Sequence, residues 1–183
     1  MSTFPDPSLN PIQRPTLDWV VKKPWRLIAF GGGTGVLRPG PGTWGTVLAW
    51  VLWVLGLHVL TDTQMAIFLP VTFFIGCWAC HRTGYDLGVS DHSGMNWDEM
   101  VAFWLVLWLL MPAPWWAQLA AFGLFRYFDA AKPGPVGWAD RRFKLRPGQA
   151  IGWAQGAGIL FDDLVAAGCT LLFIALWIRI WNW

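Results

Sequence analysis

The sequence predicts an all-α fold: a polytopic membrane helical bundle with about five apolar helices, some of them short or only partly inserted. Three observations carry that prediction. Apolar residues fill 55% of the 183 positions and charged residues 13%, about half the roughly 25% charge of an average soluble domain. Sixteen tryptophans stand against two tyrosines, and indole rings collect where one edge is apolar and the other wet, as at a bilayer surface. Five apolar runs, at 44–60, 64–80, 100–111, 115–128 and 164–181, approach the roughly 20 residues that span a bilayer core, although the third and fourth are short. A soluble bundle of helices this apolar would leave too little polar surface to wet. The net charge of +2 is too balanced for a nucleic-acid partner.

Taken in order, residues 1–16 are rich in proline and polar groups, with no apolar stretch before a small-residue cleavage site, and read as a mobile N-terminal tail. Residues 17–183 form one membrane-embedded domain. Basic residues orient it, because they accumulate in cytoplasmic loops. Arg14, Lys22, Lys23, Arg26 and Arg38 precede the first run, Arg82 follows the second, and Lys132, Arg141, Arg142, Lys144 and Arg146 follow the fourth. These are alternate loops, so they share one side, which places the N-terminus in the cytoplasm and the C-terminus outside. Asp62 and the proline-containing turn after Met111 fall on the opposite side. The three cysteines lie inside apolar runs and supply no disulfide framework. Cys77-Trp-Ala-Cys80-His81 matches a c-type haem attachment string, but it ends a run on the cytoplasmic side, the wrong compartment for that chemistry.

Asp86, Asp91, Asp98, Glu99, Asp129, Asp140, Asp162 and Asp163 all fall on the cytoplasmic side. An ionised carboxylate at mid-membrane costs roughly 2.5–3.5 kcal/mol on insertion scales, so acids at helix ends need partners or a task. Four segments converge there. The first is the glycine-rich stretch 31–45. Gly40, Gly42 and Gly45 make a lone GxGxxG without a βαβ context, a weak dinucleotide signal. Its glycines suit either close backbone approach to an anion at a helix start near Thr43, with Arg38 nearby, or a flexible membrane-entry turn. The second segment, 91–99, carries Asp98 and Glu99, which diverge by about 100° on a helix, so one can ligate a metal while the other braces a neighbour; a solvated first turn that favours acids is the plainer alternative. In the third, 125–135, Arg126, Asp129 and Lys132 recur every third residue along one side of a helix that Pro133 stops, a spacing that fits an internal salt bridge equally well. The fourth, 156–163, puts Asp162 and Asp163 at the entrance of the last run.

Carboxylates without thiolate ligands, gathered with Arg and Lys, suit a hard cation such as Mg²⁺ and a phosphate. Such a group can hydrolyse a phosphate ester, with the ion acidifying a water, a carboxylate taking its proton, and Arg or Lys offsetting charge on the equatorial oxygens. The roles assigned on that chemistry are Glu99, Asp129 and Asp163 as metal ligands, Asp98 or Asp162 as the base, and Arg38, Gly42, Thr43, Arg126 and Lys132 as substrate-binding residues. Assignments within each acidic pair stay open.

Together, Pro-Gly-Thr-x-Gly at 41–45, Asp91-His92 followed by Trp-Asp-Glu at 97–99, Phe-Arg-x-x-Asp-x-x-Lys-Pro-x-Pro at 125–135 and Gly-Ile-x-x-Asp-Asp at 158–163 resemble bacterial phosphatidylglycerophosphatase A. The resemblance runs over about residues 25–177. It implies a Mg²⁺-dependent enzyme of the bacterial inner membrane that removes the terminal phosphate of phosphatidylglycerophosphate, a phospholipid substrate, to give phosphatidylglycerol. The sequence departs from the family pattern at Met95-Asn96, where an aliphatic pair is usual, and in the longer 141–157 loop. A small cation carrier using the same acids is the competing reading. It requires acids near the centre of several spans, whereas here they gather at one set of helix ends.

Overall fold

The computed structural model describes residues 14–89, 91–143 and 153–181, and among these it contains helices and turns with no strand. Two short helices, α1 (Leu17–Val21) and α2 (Pro24–Ala29), lead into a 3₁₀ segment (Gly31–Val36). The main bundle is α3 (Pro41–Leu55), α4 (Asp62–Leu87), α5 (Trp97–Leu110), α6 (Trp115–Ala131) and α8 (Trp153–Trp181), with α7 (Pro135–Phe143) between the last two. The 1–13 part of the expected tail lies outside the described residues. Thr16, the last residue of that tail, caps α1 by accepting a hydrogen bond from the Trp19 amide.

The helix boundaries follow local chemistry. Pro41 takes the first position of α3, where its missing N–H costs nothing. Thr61 and Gln64 form a capping box at the start of α4, and Gly88 ends that helix in the left-handed conformation. Pro112 follows Met111, the C-cap of α5, and Pro114 caps α6. Each of the five apolar runs lies on a helix, but the boundaries shift. α4 and α8 extend well past their runs into polar sequence, and α7 occupies part of what the sequence suggested was a long loop.

Two helices, Asp62–Leu87 and Ala157–Trp181, are long and apolar enough to cross a membrane. The 14 residues of α5 rise only about 21 Å, short of the roughly 30 Å of a hydrocarbon core. α5 instead forms the axis of the bundle: it packs against α3, α4, α6 and α8 and buries Met100, Val101, Ala102, Phe103, Trp104, Val106 and Leu107. The outer faces of α4 and α8 present Ile67, Phe74, Leu172, Leu176 and Ile180 uncovered. Apolar area on this scale is an aggregation hazard in water but carries no penalty against lipid tails, which supports membrane association.

Polar contacts tie the two ends of the bundle. At one end Trp108 donates to Asp62 and Trp50 donates to Gln118. At the other, Asn96 is fully buried, and its Nδ2 donates to Thr34 Oγ1 at 3.0 Å and to the Pro41 carbonyl at 2.8 Å. A Cβ on Gly31 or Gly45 would overlap the Asn96 amide, so these glycines make room for that side chain. The departure at Asn96 therefore fastens the glycine-rich segment to the start of α5.

Candidate active site

The first turn of α5, the last turn of α6 and the first third of α8 meet at the Asn96 end of the bundle. They enclose a polar cavity of about 110 Å³ lined by Asp91, His92, Ser93, Met95, Asp98, Glu99, Asp129, Lys132, Ile159, Asp162 and Asp163. Every carboxylate assigned a role from the sequence, on three helices distant in the chain, lies in this one lining. Asp98, Asp129, Asp162 and Asp163 are buried; Asp98 and Asp129 sit near helix ends as expected, whereas α8 begins at Trp153 and carries Asp162 and Asp163 well inside the helix.

The cations are shared out among the acids. Arg126 Nη1 donates to Asp129 Oδ2 at 2.6 Å and to Glu99 Oε1 at 3.2 Å, so it joins α6 to α5 and also makes the local salt bridge that its spacing allows. Lys132 does not continue the helical row of Arg126 and Asp129. It is the left-handed C-cap of α6, with φ 45° and ψ 49°, and the chain turn there carries its ammonium to Asp140 at 2.5 Å and Asp162 at 2.6 Å. Burial disfavours the Lys132 charge, but the hydrogen bonds to Asp140 and Asp162 outweigh it and the pKa moves up. An ammonium has three donors, so one N–H remains for a third acceptor in the cavity.

The negative charge in the cavity exceeds what Lys132 and Arg126 neutralise. Burial, and then the neighbouring Glu99 carboxylate, raise the pKa of Asp98. Burial and then Asp129 push Glu99 up to about 8, even with Arg126 pulling the other way. Among the described residues no three acidic, histidine or cysteine groups stand as a ready metal cluster. Two carboxylate oxygens, Glu99 Oε2 and Asp163 Oδ2, are nevertheless buried without a hydrogen-bond partner. Leaving such an atom unsatisfied costs about 1–3 kcal/mol. An all-oxygen donor set with spare lone pairs suits Mg²⁺, which keeps several waters and takes further oxygens from its substrate.

The substrate-binding residues proposed from the sequence divide. Lys132 belongs to the acidic lining, and Arg126 stands behind it, ion-paired to the lining residues Glu99 and Asp129. Gly42, in the first turn of α3, lies against it from behind: a Cβ there would overlap Glu99 Oε1 and stand 2.9 Å from Arg126 Nη2. Its lack of a side chain thus serves close packing on the Glu99–Arg126 pair. Thr43 is exposed on the same turn, and Arg38 is exposed beside a second cavity. Sequence reasoning gave no role to Ser93, which lines the cavity, or to Asp140, which holds Lys132. The i,i+8 spacing of Lys132 and Asp140 across Pro133 and Gly134 gave no helical signal.

A family model described as Phosphatidylglycerophosphatase A matches residues 27–178, a stretch that contains every one of these side chains. The chain belongs to the phosphatidylglycerophosphatase A family. A phosphatidylglycerophosphatase A of Haemophilus influenzae is 37% identical over 158 residues, covering 86% of this chain and 88% of that protein. The Escherichia coli protein of the same name is 34% identical over 146 residues, covering 80% of this chain and 78% of its own length. A Bacteroides thetaiotaomicron protein, provisionally named a phosphatidylinositol-3-phosphatase, is 33% identical over 156 residues, 81% of this chain and 90% of its own. No solved structure matches the chain significantly. As a member of the phosphatidylglycerophosphatase A family the protein is an enzyme, a phosphatase.

Proposed function

We propose that the protein hydrolyses the terminal phosphomonoester of phosphatidylglycerophosphate, giving phosphatidylglycerol and phosphate, in a Mg²⁺-dependent reaction at the cytoplasmic face of the bacterial inner membrane. The observation that supports it most directly is the joining of family membership to one buried cavity in which carboxylates outnumber cations and two carboxylate oxygens lack partners. Glu99, Asp129 and Asp163 are the residues to hold Mg²⁺, which when bound supplies Lewis acidity toward a phosphate oxygen and a water.

The protein's own groups do the rest. Asp98 is the better placed of the two candidate bases. Its Oδ1 is held by the Glu99 amide at 3.0 Å and it makes no ion pair among the described residues, while Asp162 is already engaged by the Lys132 ammonium at 2.6 Å. Asp98 takes a proton from the attacking water as the water oxygen bonds to phosphorus. The bond from phosphorus to the glycerol oxygen breaks, and that oxygen leaves with the electron pair and is protonated. The free N–H of Lys132 and the guanidinium of Arg126 offset charge on the equatorial oxygens. Because the site lies toward one end of the bundle, a diacyl lipid brings its headgroup to it with the tails still in the bilayer.

Phosphate release from phosphatidylglycerophosphate by purified protein is expected with Mg²⁺ and not with chelator, and faster than from phosphatidic acid or phosphatidylinositol 3-phosphate. Glycerol 3-phosphate, which lacks tails and diester, is expected to be a poor substrate. Release from none of the lipids would sink the reading. For the membrane, α4 and α8 cross it, and α3 carries the chain from the glycine-rich segment at the site end to the outer start of α4. Reporter tags at Asp62 and after Trp183 are then expected outside and tags at 141–146 in the cytoplasm; an external 141–146 segment would overturn the placement.

A further inference from the structure

A second cavity, of about 370 Å³, is lined by Arg14, Thr16, Gly35, Arg38 and His92, among others. His92 lines the acidic cavity as well, and is the one residue common to both linings. The two spaces thus share an imidazole as their partition, and they are opposite in charge: carboxylates dominate one, and arginines without any carboxylate line the other. Among the described residues Arg14 and Arg38 make no ion pair, in contrast to Lys22, Arg26, Arg126 and Lys132, each of which holds an acid.

The partition is fixed in place. The Gly94 amide donates to His92 Nδ1 at 3.0 Å, and the ring packs on Phe30 with centroids 5.9 Å apart. With Nδ1 accepting, the neutral ring carries its proton on Nε2 and offers one further donor.

We infer that the Arg14–Arg38 cavity is a second anion subsite, which holds the phosphodiester of the same lipid whose terminal monoester enters the acidic cavity, with His92 between the two phosphates. This rests on the reading of the acidic cavity as the site of monoester hydrolysis. A diester carries a single negative charge, which two arginines and an imidazole N–H satisfy. Once anchored there it lies outside the carboxylate-lined cavity, so the diester bond is left intact while the glycerol spacer carries the monoester past His92. The subsite also selects lipids that carry a second phosphate over those with a monoester alone.

The test is the Arg14→Ala/Arg38→Ala double variant, assayed in neutral detergent against two inhibitors: phosphatidylglycerol, which has the diester alone, and inorganic phosphate, which resembles the monoester alone. The inhibition constant of phosphatidylglycerol and the KM for phosphatidylglycerophosphate are expected to rise about 10- to 100-fold, with kcat and inhibition by inorganic phosphate unchanged. Equal phosphatidylglycerol inhibition of variant and unaltered protein would overturn the subsite, as would equal weakening of both inhibitors. So would an effect confined to vesicles rich in anionic lipid, which would make the arginines membrane-docking groups. Calorimetric titration of phosphatidylglycerol into the detergent-solubilised protein reads the same affinity difference without turnover. Absence of hydrolysis therefore counts against the proposed reaction, and an unchanged titration counts against the subsite.

Discussion

Asp163→Asn is expected to lower phosphate release by about 100- to 1,000-fold or more while the protein inserts and folds as before. Asp163 is only 3% exposed, and its Oδ2 has no hydrogen-bond partner. Asparagine keeps the shape and one carbonyl oxygen but removes the charge. If the carboxylate served packing alone, the neutral amide would be at least as well tolerated, because burying a charge is the costlier choice. The loss is therefore expected in kcat across a wide range of Mg²⁺, with the thermal midpoint in detergent unchanged or raised. Near-normal turnover of the variant at every Mg²⁺ concentration would make Asp163 a structural acid.

Gly42→Ala is expected to be nearly as damaging, and for a steric reason. The added methyl group falls on Glu99 Oε1 and close to Arg126 Nη2, so either the Glu99–Arg126 ion pair opens or α3 moves away from α5. Overpacking of this kind costs about 1–3 kcal/mol, and Thr46, whose hydroxyl donates to the Gly42 carbonyl, ties the same turn to the rest of α3. Both a lower thermal midpoint and a large fall in kcat are expected. The kinetics of Gly42→Ala separate two accounts of this turn. If the α3 start cradles phosphate through its backbone, Gly42→Ala should raise KM for the lipid. If Gly42 acts by giving Glu99 and Arg126 their position, kcat should fall and KM change little.

Asn96 shows how far one-dimensional reasoning reaches. In the sequence it is only a polar residue in a motif position that is usually aliphatic. In the structure it is a fully buried amide bonded across about 60 residues of chain to Thr34 and Pro41. Lys132 is the opposite case. Its three-residue spacing from Asp129 was legible and pointed to a shared helical face, but the residue leaves the helix in a left-handed cap, and that single dihedral change gives it Asp140 and Asp162 as partners.

By itself the sequence determined that the fold is helical, which runs are apolar, and, through four spaced motifs, the phosphatidylglycerophosphatase A family. These are properties of composition, periodicity and order along the chain, which local chemistry sets directly. Tertiary structure alone decided that Asp98, Asp129 and Asp163, from three helices, line one cavity, that Gly42 is spacing for an ion pair, and that Arg38 belongs to a separate space walled by His92. It also reduced five apolar runs to two helices long and apolar enough to cross a membrane, with α5 short and enclosed by its neighbours. The physical reason is the same throughout: which charges meet depends on helix packing and on the direction of a cap or turn, quantities fixed by contacts between residues far apart in the chain and left unrecorded in their spacing.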